Sequence, residues 1–253
     1  MEQRHPRQLV MTGNNASTPP RVEIKKHPPS VEIKEKPKMI KATYVNHMGN
    51  DLAVANAARV SFGKTSEMED NQWGPPTLKE SDAKLIKYLA KHKHISPFGH
   101  TFASFHIKAP VFVARQLVKH KFLRWNEISR RYVSTAPEFY EPETWRGQSQ
   151  DKKQGSAGVV ADVHISTTQR IVALLYVDLL ARGVCEEQAR MVLPQNTMTE
   201  WHWSGSLDAF SDMCKLRLKD DTQYETRLVA QQIDTIMQPL FPISWTALQG
   251  NMT

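Results

Sequence analysis

The sequence has 253 residues, 40% of them apolar, and 33 Lys and Arg against 26 Asp and Glu give a formal net charge of +7. This apolar content allows a hydrophobic core, so the composition excludes disorder throughout the chain. Only two cysteines, Cys185 and Cys214, exclude a disulfide scaffold and an all-cysteine zinc site. No apolar segment is long enough to cross a bilayer, and the first twenty residues lack the apolar run of a secretory signal, so we expect a cytoplasmic protein.

The first 38 residues differ in composition from the rest of the chain. They hold 8 Lys and Arg against 4 Asp and Glu, 6 of the 15 prolines and no aromatic residue. Such a segment cannot bury enough apolar surface to offset the entropy lost on ordering. We therefore predict a disordered, basic, proline-rich tail over 1–38 and a single folded domain over 39–253. A repeated Val-Glu-Ile-Lys, at 22–25 and 31–34, is either a short recognition repeat or part of this solvated tail.

The first half of the domain alternates strands, helices and loops. Asp51 is a suitable helix cap, and Pro110 suits a first helical turn because its missing N–H is not needed there. Hydrophobic periodicity and breaker residues predict a strand at 40–46, a helix at 51–59, a loop at 63–77, a helix capped by Ser81, a turn at 94–100, a strand at 101–108 and a helix at 110–122.

The second half is mainly helical. Gly183 and Pro194 are residue types that commonly end helices, and Thr222 and Glu225 have the spacing of a capping box. Because helices outnumber strands, we predict the α+β class, with mixed helices around a small, mostly antiparallel sheet in a single domain. The predicted elements are a strand at 131–134, an irregular stretch at 141–158, and helices at 162–182, 185–193, 206–218 and 222–237.

Three histidines lie close together in the turn at 94–100 and just before it. His92, His94 and His100 surround Pro97. From the residues alone they can bind a metal, can be structural or surface residues, or can contact a cofactor. We predict no metal site, because neither a cysteine nor a His-Glu-x-x-His pattern accompanies them.

Cations and polar residues are concentrated in residues 115–132. On a helix, Arg115 and Lys119 share one face, and Gln116 and His120 share a neighbouring one. Charge-assisted hydrogen bonds hold phosphate, and an amide can recognise a pyrimidine edge. The segment therefore suits a phosphorylated ligand with a polar ring, and a plain basic surface is the alternative.

Two further segments and one cysteine have chemical potential. Trp201 and Trp203 could stack on an aromatic ligand, although core packing is the more common role of tryptophan. Arg227 lies near a helix start that favours anions, and a surface salt-bridge helix is the alternative. Cys185 also lies at a helix start but has no basic neighbour in sequence, so we expect no cysteine nucleophile. Neither a G-x-G-x-x-G motif nor a Walker A loop occurs.

A set of motifs extends across residues 40–240. It includes His94-x-Ser-Pro-Phe-x-His100, Phe112-Val-Ala-Arg-Gln116, Ala189-Arg-x-Val-Leu-Pro194 and Leu216-Arg217 to Arg227. At its centre, Lys119-His120-Lys121 is followed after seven residues by Ser129 and then by Arg130-Arg131-Tyr132. The spacing is that of an Arg-His-Arg, seven residues, Ser hallmark. Together these motifs resemble the flavin-dependent thymidylate synthases.

The resemblance implies a homotetrameric flavoenzyme that makes dTMP from dUMP, with active sites at subunit interfaces. It implies FAD as cofactor, methylenetetrahydrofolate as carbon donor and NADPH as reductant, with hydride delivered from reduced flavin and no cysteine nucleophile. Neither a membrane nor a nucleic acid is expected as a partner. By position, the resemblance implies that dUMP is contacted by Gln116, Glu127, Ser129, Arg130 (through its backbone), Arg131 and Arg227. It implies that FAD is contacted by Ser61, His94, Ser96, Lys119, His120, Lys121, Lys215 and Arg217.

Two of these residues are implied to be catalytic. Arg227 resembles the arginine that polarises the uracil ring, a role that suits a guanidinium because it stays cationic and holds its donors in one plane. Ser129 resembles a hydrogen-bonding residue that orients the nucleotide, and no general base stands beside it in sequence.

Five positions depart from the family pattern. Lys119 and Lys121 replace arginines, which keeps the charge and loses the bidentate fork. Arg124 stands where many members carry serine. Glu200 replaces a substrate-contacting arginine of some members and Asp221 a frequent flavin-contacting histidine, so neither role is carried over.

A basic nucleic-acid-binding protein without catalysis is the main alternative. The central cations are interleaved with Phe122, Trp125 and Tyr132, a pattern that suits phosphate contacts combined with base stacking. This alternative predicts salt-dependent binding of oligonucleotides and a colourless protein.

Overall fold

The structure is a computed structural model that describes residues 40–149 and 155–250. The predicted tail at 1–38 lies outside the described residues. No helix within these ranges is both long and apolar enough to span a bilayer.

Among the described residues, antiparallel pairing forms two sheets. The large sheet has four strands in the order β1-β2-β6-β3, and β4 and β5 pair separately as a hairpin. The strands are β1 (Lys41–Met48), β2 (Phe102–Pro110), β3 (Leu123–Glu127), β4 (Trp145–Gln148), β5 (Ser156–Val160) and β6 (Met198–Ser206).

Helices account for most of the remaining residues, so the predicted α+β class is confirmed. Short 3-10 turns at Val60–Phe62, Ser96–His100 and Arg190–Val192 connect them. The helices are α1 (Asp51–Arg59), α2 (Glu80–Lys91), α3 (Val111–Leu117), α4 (Ser166–Ala181), α5 (Glu186–Ala189), α6 (Leu207–Arg217), α7 (Tyr224–Leu240) and α8 (Pro242–Gln249).

The main core lies against one face of the large sheet. Alternation along β2 buries Phe105, whose ring centroid lies 5.1 Å from that of Phe210 on α6. Trp201 and Trp203 on β6 are each 1% exposed, and Trp125 on β3 stacks on Trp201 at 4.3 Å. The Trp-x-Trp segment is therefore part of the core and presents no ring for a ligand.

Asp51 has a different role from the predicted cap of α1. The cap is Asn50, whose side chain accepts a hydrogen bond from the N–H of Ala53. The buried Asp51 carboxylate accepts from the N–H groups of Ile243 and Ser244, at 2.8 and 2.9 Å. It therefore caps α8, a helix absent from the sequence prediction, and joins the two ends of the domain.

Several element boundaries differ from the prediction. The helix predicted at 110–122 ends at Leu117, because the chain turns at Phe122, with φ +65°, and enters β3. Residues 131–132 form a turn and 133–134 no regular structure, so the strand predicted at 131–134 is wrong. The stretch predicted as irregular, 141–158, holds β4 and the first part of β5. No capping box forms at α7, because Glu225 pairs with Arg146 instead.

Candidate active site

The end of α3 meets the end of α6 and the start of α7. Arg217 donates from Nε to Nε2 of His120 at 3.0 Å and from Nη2 to the carbonyl of Gln116 at 3.2 Å. The Gln116 amide in turn donates to the side-chain oxygen of Gln223, the residue before α7. Three predicted site residues, Gln116, His120 and Arg217, therefore form one contact group, which we call the α3–α6 cluster.

The electrostatics of the α3–α6 cluster fix the state of its histidine. Burial, and then the positive charge of Arg217, lower the pKa of His120 to about 4, so the imidazole is neutral at pH 7. Because Arg217 donates to Nε2, the ring proton of His120 lies on Nδ1. Burial also lowers the pKa of Arg217, which remains a cation at neutral pH. The cluster thus offers one cation and one neutral N–H donor.

Lys119 and Lys121 flank His120 on the surface. Both side chains are exposed, and no carboxylate of the described residues forms an ion pair with either of them. A diphosphate is bound by cations that have no other anionic partner and by neutral N–H donors, and this region provides both. The residues present therefore fit the polyanionic part of FAD.

The end of β3 presents an oriented carboxylate. Glu127 accepts a hydrogen bond from Thr199 Oγ1 at 2.6 Å and from Trp125 Nε1 at 3.1 Å. In the following turn, Ser129 Oγ accepts from Nε of Arg131 at 3.1 Å. A hydroxyl that accepts from a guanidinium is not activated as a nucleophile, because activation needs a base that removes its proton. The geometry supports an orienting role for Ser129.

The Arg130 side chain is held by Thr135 and Tyr176. Its Nη1 donates to the carbonyl of Thr135 at 2.7 Å, and its guanidinium carbon lies 5.9 Å from the ring centroid of Tyr176 on α4. The Arg130 side chain is therefore engaged by Thr135 and Tyr176.

Arg227 lies in the first turns of α7, where its side chain is 23% exposed. Its Nη1 is 3.2 Å from Oδ1 of Asp220 and 3.4 Å from the Asp220 carbonyl oxygen. Asp220 is fully exposed, so water screens this ion pair and a ligand can replace it at little cost.

Four predicted flavin contacts lie outside the α3–α6 cluster. Ser61 and Ser96 are exposed residues of two separate 3-10 turns, and His94 lies in a surface group of rings with His92 and Tyr88. Lys215 lies on α6, 3.6 Å from Asp212. No hydrogen bond or ion pair within the described ranges connects any of the four to Gln116, His120 or Arg217.

Neither a metal centre nor a reactive cysteine emerges from the geometry. Across 40–149 and 155–250, no three His, Cys, Asp or Glu residues form a group that could hold a metal ion. Burial raises the pKa of Cys214 well above its usual range, and its thiol lies 3.7 Å from the carbonyl of Ala230. Cys185 is exposed at the start of α5, a helix of only four residues.

Contacts of the predicted residues add three side chains that the sequence analysis did not assign: Thr199, Asp220 and Gln223. An acid seven residues before Arg227 is a signal that could have suggested Asp220. Thr199 had no such signal, because its contact depends on the pairing of β3 with β6. Glu200, one position further along β6, lies 3.1 Å from Nε2 of His106.

Comparison with known proteins supports this assignment of motifs. Residues 43–243 match the Thy1 family, described as thymidylate synthase complementing protein. A flavin-dependent thymidylate synthase of Thermus thermophilus is 41% identical over 212 residues, which cover 82% of this chain and 75% of the relative. One from Kosmotoga olearia is 37% identical over 210 residues, which cover 80% of this chain and 87% of the relative.

A solved structure agrees in fold. The UMP/dUMP methylase PolB from Streptomyces cacaoi, bound with 5-Br dUMP, superposes with a TM-score of 0.73 at 30% identity, over 83% of this chain and 95% of that one. The same enzyme bound with 5-Br UMP gives a TM-score of 0.73 at 28% identity, over 85% and 96%. This chain therefore belongs to the flavin-dependent thymidylate synthase family and is an enzyme of that kind.

Proposed function

We propose that the chain catalyses the reductive methylation of dUMP to dTMP, with methylenetetrahydrofolate as carbon donor and NADPH as reductant. The observation that carries this proposal is the α3–α6 cluster, in which a neutral His120 and a cationic Arg217 lie beside Gln116. Lys119 and Lys121 are exposed nearby and form no ion pair with the described carboxylates. When bound, reduced FAD supplies the hydride. The relatives named above support the same activity.

The nucleotide is bound and polarised by residues of α3, the β3 turn and α7. Gln116 and Glu127 present an amide and a carboxylate to polar groups of dUMP, and Arg131 with the backbone of Arg130 presents donors to its phosphate. Arg227 exchanges Asp220 for the uracil ring and stabilises the ionised form of that ring. Ser129 orients the nucleotide and forms no covalent bond to it.

The flavin is held by Lys119, His120, Lys121 and Arg217, with Lys215 beside them on α6. The exposed Ser61, His94 and Ser96 reach the same flavin from another subunit of a homotetramer. An uncovered apolar stripe on α4, formed by Ile171, Leu174 and Leu175, supports this assembly because such stripes mark interfaces.

The absorbance spectrum of the purified protein tests the proposal directly. We expect a flavin spectrum, either as purified or after addition of FAD, and NADPH oxidation that dUMP stimulates. UMP in place of dUMP tests the ribonucleotide as a second substrate, since the structural relative is a UMP/dUMP methylase. Cys185→Ala and Cys214→Ala are expected to retain turnover. A protein that binds neither FAD nor dUMP, and instead binds oligonucleotides with a steep salt dependence, would overturn the proposal.

A further inference from the structure

A buried carboxylate lies on the back of the helical turn that carries Arg227. Glu225 is in the first turn of α7, and its side chain is only 8% exposed. Nη2 of Arg146, on β4, lies 2.6 Å from Oε1 and 2.8 Å from Oε2 of Glu225. The hydroxyl of Tyr140 donates to Oε1 at 3.3 Å. We call Tyr140, Arg146 and Glu225 the buried triad after its buried carboxylate; the Arg146 side chain is 26% exposed and Tyr140 is half-buried.

The buried triad ties α7 to two other parts of the fold. Arg146 stacks over the ring of Tyr224, at 4.6 Å from its centroid, and donates to Ser156 on β5 at 2.9 Å. Tyr140 packs against Phe112 on α3, with ring centroids 6.0 Å apart. The triad therefore braces α3, which carries Gln116, and α7, which carries Arg227.

Packing alone does not fix this side of α7, because a cavity of about 620 Å³ borders the triad. Its wall is mainly apolar and includes Phe112, Trp145 and Val172 together with the triad itself. Side chains next to such a space have few neighbours that restrict them. On the side that borders this cavity, the first turn of α7 is therefore held by the ionic and hydrogen-bonded contacts of Glu225.

We propose that Glu225, held by Arg146 and Tyr140, is a positioning residue that sets the direction in which Arg227 presents its guanidinium to the nucleotide. Residues two apart on a helix point about 200° away from each other, so Glu225 faces Tyr140 and Arg146 while Arg227 faces the site. The only partner of Arg227 among the described side chains is the exposed Asp220, which cannot hold it in place. This inference rests on the function proposed above.

The protonation states support the arrangement. Burial, followed by the negative charge of Glu225, raises the pKa of Tyr140, so its hydroxyl keeps its proton and remains a donor. A carboxylate this buried is stable only while its partners remain, because an unpaired charge in the interior is strongly unfavourable. Loss of Arg146 therefore displaces Glu225 and, with it, the turn that carries Arg227.

A double-mutant cycle on the FAD-loaded enzyme tests the proposal, with the Kd for dUMP measured by titration calorimetry. We expect Arg146→Ala to raise this Kd about tenfold in the parent enzyme but less than about twofold in an Arg227→Ala background, because both changes act through the same guanidinium. Arg146→Lys keeps a cation beside Glu225 and is expected to recover part of the affinity. If Arg146→Ala does not fold, Tyr140→Phe replaces it, because this change keeps the ring and removes one donor to Glu225. We expect Tyr140→Phe to raise the Kd for dUMP in the parent enzyme and to have less effect in the Arg227→Ala background.

Trp245→Phe is the matched control. It removes the partly buried hydrogen bond from Trp245 to Asp234, at 2.7 Å, and Asp234 lies seven residues beyond Arg227 on α7. We expect it to lower the melting temperature while the Kd for dUMP stays within about twofold. Additive losses in the cycle, or an equal loss of dUMP affinity in the control, would overturn the positioning role alone. A parent enzyme that binds no dUMP would overturn the proposed function and this inference together.

Discussion

The guanidinium of Arg227 is paired only with an exposed carboxylate, Asp220, within the part of the chain that the structure describes. A ligand that takes the place of Asp220 gains a planar set of donors that stays cationic at any physiological pH. We expect Arg227→Ala to lower kcat/KM for dUMP by about 100-fold, because removal of one hydrogen-bond donor from the negative charge that develops in a transition state has an effect of about this size. FAD should remain bound.

Measuring flavin absorbance and dUMP-dependent NADPH oxidation on the same sample checks this prediction. Lys84→Ala removes a cation from an exposed i,i+4 pair on α2, where Lys84 lies 2.8 Å from Glu80, and serves as the control. Turnover of Arg227→Ala that matches turnover of Lys84→Ala would contradict the assignment of Arg227 as the activating residue.

His120 makes stability depend on pH. Its pKa is lowered from 6.5 to about 4 in the folded protein, so between these values the unfolded chain binds a proton that the folded chain does not. Stability is therefore greatest above pH 6.5 and falls as the pH decreases toward 4. For a partly exposed histidine, we expect the loss to be on the order of 1 kcal/mol after solvent screening.

Urea unfolding of the flavin-free protein at pH 7.5 and pH 5 measures this effect. His120→Gln has no titrating imidazole at this position, so we expect the variant to lose less stability than the parent between the two pH values. An equal loss in parent and variant would show that His120 is not the group responsible.

Among the secondary-structure elements, the pairing of β3 with β6 depends on a close approach at Gly205. A Cβ at this position would lie 3.0 Å from the carbonyl oxygen of Phe122 and would overlap the side chain of Leu123. We expect Gly205→Ala to destabilise the protein by about 1–3 kcal/mol, because β3 must shift away from β6. Since the turn at 119–122 leads into β3, flavin affinity should fall as well.

Thermal unfolding and FAD titration check the prediction for Gly205. Gly99→Ala is the matched control, because a Cβ there would meet no atom closer than 4.0 Å, from Asp208, and Gly99 has no positive φ. Equal destabilisation by the two substitutions would show that the close approach between β3 and β6 is not the cause.

The sequence predicted elements whose signals are local and missed those that depend on distant pairing. The β2 strand followed from the alternation of Phe105 and Ile107, and the end of α4 followed from Gly183. By contrast, β6 was not predicted as a strand, because tryptophan and histidine alternate in it and only the surrounding sheet shows that Trp203 is buried. The missed strand also concealed the contact of Thr199 with Glu127.

Motif resemblance predicted which residue types belong to the site but not how they meet. The bond between His120 and Arg217 spans 97 positions, and the amide contact between Gln116 and Gln223 spans 107. No spacing rule within one element describes such pairs. The buried triad had no sequence signal, because Arg146 lies in a stretch whose polar composition predicted irregular structure.

For the whole molecule, the net charge of +7 first suggested a nucleic-acid partner. Of this charge, +4 belongs to the predicted tail at 1–38. Part of the remainder lies at Lys119 and Lys121, beside the α3–α6 cluster, and at Arg130 and Arg131 in the turn after β3. There the cations suit compact anionic ligands such as dUMP and FAD better than an extended phosphate backbone.

The proposed homotetramer determines whether the flavin site is complete, because part of that site is proposed to come from another subunit. The apolar stripe on α4 exposes 60% of Ile171, 50% of Leu174 and 44% of Leu175, an arrangement that favours burial against another subunit. A charge at its centre would be buried without a partner in the assembly. We therefore expect Leu174→Lys to dissociate the proposed homotetramer.

Light scattering coupled to size-exclusion chromatography measures the mass of the assembly, and flavin absorbance across the same peak measures FAD retention. We expect the Leu174→Lys subunit to lose FAD together with its partners, because Ser61, His94 and Ser96 do not reach the α3–α6 cluster of their own chain through any described bond. Ser81→Lys adds the same charge at an exposed polar position of α2 and should leave both readouts unchanged. A Leu174→Lys monomer that retained FAD would instead show that one chain holds the flavin alone.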